Sequence, residues 1–186
     1  EELRTASKIQ QALLPPPRRE GAFYRAVGAS VPSRTIGGDF FDYLDLSGDA
    51  FGFALGDVTG KGPSAALVTA VIQGIFGSQM GTATAPADLI SLVNRVLLAR
   101  RVESRLATIF CGSITPRGHL VYCNAAQNPP LLSSGGRWEQ LDVGGTLLGA
   151  FPDAVYEQGE RQLTPGDTIV LFSDGIAEAL NVDGVD

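Results

Sequence analysis

Three aspartates stand where apolar runs break into glycine turns: Gly37-Gly38-Asp39, Gly56-Asp57-Val58-Thr59-Gly60-Lys61-Gly62 and Ser173-Asp174-Gly175. Phe51-Gly52-Phe53-Ala54-Leu55 leads into Asp57, and Thr168-Ile169-Val170-Leu171-Phe172 leads into Asp174. A carboxylate at the carboxyl end of a buried strand is carried by a rigid element, and a neighbouring glycine lets the backbone turn away from a ligand. One such aspartate alone reads as a turn residue that accepts backbone hydrogen bonds. Repetition of the device favours a gathered set of oxygen ligands, which suits a hard cation such as Mg2+ or Mn2+.

Other chemistry-bearing residues read more plainly. Gly60-Lys61 fails as a phosphate loop, because Leu55 stands where that motif needs glycine and Gly62 where it needs Ser or Thr. Lys61 is therefore expected to be a solvated residue ahead of a helix. Cys111 and Cys123 fall on two expected strands joined by Thr115-Pro116-Arg117-Gly118 and are expected as buried, reduced thiols. Neither occupies an electropositive helix start that would favour a thiolate nucleophile. The single histidine, His119, lies beside that turn, far from the aspartate motifs, and reads as a strand-edge residue. Acidic residues outnumber basic ones by 20 to 14, which disfavours nucleic-acid or anionic-membrane surfaces and is compatible with cation binding. No apolar run approaches the ~18 residues that a spanning helix needs, and no stretch reads as a secretory signal, so a cytoplasmic location is expected.

The elements that would position the aspartates follow from periodicity. Leu3, Ala6, Ile9 and Leu13 form one helical face, and Pro15-Pro16-Pro17 stops that helix. Strands are expected near 22–31, 39–46 and 50–57, with Ser47-Gly48-Asp49 turning between the last two. A largely buried helix opens at Pro63, and a more amphipathic one spans 86–101. A hairpin at 106–114 and 119–125 follows, then short strands or loops through 130–163 and a strand at 168–173. Strands, two helices and strands again, without βα alternation, predict an α+β layered domain with mainly antiparallel sheets. The expected division is a linker helix and proline stop over 1–17 and one domain over 18–186.

Four spaced motifs make the pattern specific. Ile36-Gly37-Gly38-Asp39-Phe40-Phe41-Asp42, Gly56 to Gly62, Asn124-Ala125-Ala126-Gln127-Asn128-Pro129-Pro130-Leu131, and Leu163 to Ala179 resemble the metal-dependent PPM (type 2C) protein phosphatases, in the bacterial SpoIIE/RsbU-like branch. The resemblance implies an α-β-β-α sandwich of two antiparallel sheets flanked by helices, with two Mn2+ or Mg2+ ions at one edge. By motif position, Asp57 would bridge both ions, the Val58 carbonyl would serve one, Asp174 would ligate the second, and Asp39 would contribute directly or through water. Asp42 is a further candidate that reads equally as a structural acceptor. The implied reaction is serine/threonine phosphoprotein hydrolysis by a hydroxide shared between the ions, without a phosphoenzyme.

The resemblance also implies partners. The substrate would be a phosphorylated STAS-type anti-sigma-factor antagonist in stress signalling. Ile9 to Pro15 resembles the linker to an upstream sensor domain, possible pairing of residues 2–14 would give a homodimer, and control would pass to the helix after Pro63. The chain departs from the family in two places. Gln127 stands where members carry histidine, and the sequence contains no Asp-Asp pair, so the C-terminal part, including a final helix and strand, is expected to be missing. Two other readings share the motifs: a catalytically inactive PPM-like binding module, and a hydrolase of small phosphoesters.

Overall fold

The computed structural model describes residues 1–32, 35–80, 85–100 and 106–179. Helix α1 (Glu2–Leu13) is followed by a short hairpin, β1 (Arg18–Glu20) and β2 (Arg25–Val27), and then by β3 (Phe40–Asp45) and β4 (Phe51–Val58). Helices α2 (Pro63–Gln79) and α3 (Pro86–Ala99) come next. The remainder comprises β5 (Ala107–Ile114), β6 (His119–Ala125), β7 (Leu131–Ser134), β8 (Arg137–Gln140), β9 (Gly144–Gly145), β10 (Gly159–Gln162), β11 (Thr168–Val170) and the single turn α4 (Asp174–Ala177). Leu14 is extended, with ψ of 143°, because a residue before proline is driven out of the helical region.

The main sheet runs β10-β6-β5-β4-β3, antiparallel throughout, and β9 adds a short parallel pairing to β6. A second sheet runs β11-β7-β8, and β1 pairs only with β2. Strand β4 pairs over its whole length with β5, from Phe51 opposite Ile114 to Val58 opposite Ala107. Successive side chains alternate between faces. Ala54, Val58, Ile109, Cys111 and Cys123 pack with Ile72 and Phe76 of α2 and Leu89, Ile90 and Val93 of α3. Phe51, Phe53, Phe110, Leu120 and Tyr122 face Leu132 and Leu141. The result is an α+β sandwich with two cores, of which the described helices enter only the first. Ile72 is fully buried there, and its truncation to alanine would remove about 2–5 kcal/mol.

Several local expectations change. The strand expected over 22–31 is reduced to Arg25–Val27, paired with Arg18–Glu20, whose charged sequence gives no apolar alternation to read. Helix α3 ends at Ala99; position 101 lies outside the described residues. Strand β11 ends at Val170, so three residues separate it from Asp174. On α1, Leu3, Ile9 and Leu13 are exposed, and the partly covered positions are Ala6, Ser7 and Gln10. Gln10 takes the inner place because its amide is tied to a backbone loop described below. Helix α2 also leaves Leu67 and Val71 exposed.

Cys111 and Cys123 are cross-strand partners, both buried and both free thiols. Burial pushes Cys123 up to about 12 and Cys111 well above its ordinary value, which leaves both unreactive. His119, at the start of β6, pairs with Glu160 of the edge strand β10 at 3.1 Å on the exposed surface. Among the described residues no helix is long and apolar enough to cross a membrane.

Candidate metal centre

Asp57 is the penultimate residue of β4 and shares the alternation of Phe51 and Phe53, so it stands on the side of the sheet that faces the second sheet. Asp39 ends the loop that enters β3, and Asp174 opens α4 beyond β11 of the second sheet. These three residues, separated by 18 and 117 positions, each bring a carboxylate oxygen to within 4.8 Å of the others. The cluster therefore closes one end of the sandwich, with carboxylates carried at or near the ends of strands of both sheets. A cavity of about 1080 Å3 lies at the opposite end, against Phe23, Tyr24, Phe51 and Phe53, and holds none of the three aspartates.

The Asp39 loop is fixed from two helices. Gln10 of α1 donates through Nε2 to the Gly37 carbonyl at 2.7 Å and accepts the Gly37 N–H at 3.2 Å. The buried Thr69 hydroxyl of α2 donates to the Gly38 carbonyl at 2.8 Å. Glycine at 38 is required by close approach: a Cβ there would meet the Val58 carbonyl oxygen and come within 2.8 Å of Asp57 Oδ1. The loop thus lies directly on the Asp57–Val58 backbone, which brings Val58 to the centre as well.

Charge is concentrated here with no compensating cation among the described residues. Burial raises the Asp39 carboxyl above its ordinary value and the Asp174 charge raises it further, partly offset by hydrogen bonds. Burial, followed by the charges of Asp39 and Asp174, raises Asp57 to about 6. Asp39 Oδ2 accepts the Ser173 hydroxyl at 3.4 Å, whereas Asp39 Oδ1 is buried with no donor among the described residues. The Asp39 and Asp57 carboxyls also interact directly, and two carboxyls in contact are relieved by a shared proton or by a cation. An orphaned buried carboxylate oxygen within an all-oxygen set fits Mg2+ or Mn2+.

Asp42 is placed elsewhere. It sits on β3 opposite Ala54, with the helix-side alternation of Phe40, and its Oδ1 accepts the Tyr43 N–H at 2.8 Å. The sequence reading missed Gln10 and Thr69. Thr69 is a polar residue set inside the apolar buried face of α2, a signal of a specific acceptor nearby, whereas Gln10 shares its face with Ala6 and Ser7 and carries no such signal.

The family model for Stage II sporulation protein E (SpoIIE) matches residues 47–185, a span that includes both Asp57 and Asp174. The chain belongs to the SpoIIE family. It is 30% identical over 188 residues to phosphoserine phosphatase RsbU of Bacillus subtilis (strain 168), covering 98% of this chain and 55% of that protein. This SpoIIE-family chain thus spans about half the length of that curated relative. The fold is shared with the SiaA-PP2C domain of Pseudomonas aeruginosa, with a TM-score of 0.76 at 21% identity over 99% of this chain and 75% of that one. It is shared also with RsbX in complex with magnesium, with a TM-score of 0.72 at 20% identity over 89% and 79% of the two chains.

Proposed function

We propose that this chain is the catalytic domain of a metal-dependent serine/threonine protein phosphatase, with Asp39, Asp57 and Asp174 as its metal ligands. The observation that carries the reading is the convergence of these three carboxylates, with one buried oxygen left without a donor among the described residues. Asp57, Asp39, Asp174 and the Val58 carbonyl would hold two ions, Mn2+ or Mg2+, with Asp57 as the shared ligand and Asp174 and Asp39 as anchors. Bound there, such ions would supply a water of lowered pKa and offset the charge of a transferring phosphoryl group. The magnesium in the RsbX complex and the name of RsbU support this assignment.

The chain's own residues supply position and proton control. The strand carrying Asp57 is paired on both sides, so its carboxylate is held without reorganisation. Asp39 is fixed by the Gln10 and Thr69 bonds to its loop. Asp174 is exposed, which leaves the centre open to a phosphoserine carried on another protein. Cations would bind the deprotonated form of Asp57, whose carboxyl is raised to about 6 by burial and by its acidic neighbours. The test is release of inorganic phosphate from a phosphoserine protein after EDTA treatment and Mn2+ addition; equal release in EDTA would refute metal dependence.

The likeness to RsbU supports a phosphorylated STAS-type anti-sigma-factor antagonist as substrate and an upstream sensor in the parent protein. On this reading residues 1–17 form the linker and 18–186 the phosphatase domain. The exposed Leu3, Ile9 and Leu13 support pairing of α1 in a homodimer, and the Gln10–Gly37 bonds would carry a movement of α1 to Asp39. Polar replacement of all three should abolish dimerisation in analytical ultracentrifugation; an unchanged dimer would refute this arrangement.

A further inference from the structure

Thr108 of β5 lies directly across the ladder from Asp57. It has the alternation of Phe110, on the side that faces the second sheet, so its side chain stands beside that of Asp57 with Cβ atoms about 4.5–5.5 Å apart. Thr108 is only half-buried, and its hydroxyl is bonded to Gln127 Oε1 at 3.2 Å.

The direction of that bond is fixed by the backbone. Gln127 Oε1 also accepts the Asn128 N–H at 3.0 Å, and a turned amide would set two donors against each other. The loop cannot easily shift, because the Gln127 N–H donates to Asn124 Oδ1 at 2.8 Å and its carbonyl accepts from Asn124 Nδ2 at 3.1 Å. Gln127 is buried, and its Nε2 has no acceptor among the described residues, so the amide orientation follows from the oxygen side alone. Gln127 therefore takes the only proton that Thr108 can donate. A hydroxyl retains two lone pairs when its proton is committed. Beside Asp57, Thr108 presents only acceptor capacity.

An acceptor next to a carboxylate repels a phosphoryl oxygen and attracts a donor. Mg2+ in particular keeps several waters when bound by few carboxylates, and those waters are donors. We propose that Thr108 is a positioning residue of the metal centre, accepting a hydrogen bond from a water in the hydration sphere of the cation, with Gln127 setting the direction of the bond. The inference rests on Asp39, Asp57 and Asp174 being that centre. Outer partners of this kind typically contribute 10- to 100-fold in metal affinity.

The experiment is calorimetric titration of the protein with Mn2+, with thermal unfolding in EDTA run in parallel as a check on folding. Thr108→Val, which keeps the shape and removes the acceptor, should weaken binding about 10- to 100-fold. Thr108→Ser should recover most of the affinity, and Asp57→Asn should abolish binding. Should the valine variant fail to fold, Thr108→Ala gives the same comparison without apolar bulk. Wild-type affinity in Thr108→Val or Thr108→Ala, with binding lost in Asp57→Asn, overturns the role of Thr108 alone. Unchanged binding in Asp57→Asn overturns the metal centre itself, and the proposal with it.

Discussion

Replacing Asp57 by asparagine should make the metal-free protein more stable. Three carboxylates within 4.8 Å have no compensating cation among the described residues, and Asp57 is raised to about 6. Against an unfolded value of about 3.9, the difference corresponds to about 3 kcal/mol at neutral pH. Asp57 is only half-buried, so solvent screening reduces this to about 1–1.5 kcal/mol. The sign follows from linkage: a raised folded-state pKa gives stability that is complete below the unfolded value and is lost as pH rises through about 6. The asparagine side chain avoids that loss and keeps an oxygen to accept the Val58 N–H. Thermal unfolding in EDTA at pH 7.5 should therefore show Asp57→Asn melting about 3–5 °C above wild type. At pH 4 the difference should vanish. A variant that melts at or below wild type at pH 7.5, or with an equal gain at both pH values, would refute the electrostatic reasoning.

Three further predictions concern the same end of the sandwich. Gly38→Ala forces a methyl group into the Val58 carbonyl and Asp57, both held by the β4 ladder, and should cost about 1–3 kcal/mol in urea denaturation while also weakening Mn2+ binding. Apparent Mn2+ affinity in calorimetry should rise as pH increases through about 6, since the proton on Asp57 competes with the cation; a flat profile between pH 5 and 7 would contradict the coupling. Ala126 adopts φ of 55°, a left-handed conformation that costs a residue with a Cβ roughly 1 kcal/mol, so Ala126→Gly should raise the melting temperature by about 2–4 °C.

The sequence displayed the rigid parts of this site better than its connections. Phe51 to Leu55 and Ala107 to Ile114 declare strands through β-branched and aromatic residues, and the glycine turns that follow mark where a carboxylate can leave the sheet. Asp42 was harder to place, because the adjacent apolar Phe40 and Phe41 hide which residues face the helices. On α1 the apolar periodicity of Leu3, Ile9 and Leu13 marked one helical face without saying what it packs on, and the helix is seated on this domain through Gln10, whose partner lies 27 residues away. No local pattern encodes such a contact. The same holds for Thr108 and Gln127, whose meeting depends on the register of β4, β5 and β6.

The most direct test is an anomalous difference map at the Mn edge from a crystal of this chain soaked in MnCl2. Density among Asp39, Asp57 and Asp174, lost in the Asp57→Asn variant, is the predicted result. Absence of a peak there at saturating Mn2+, or a peak unaffected by the substitution, would contradict the assignment of these aspartates as a metal centre.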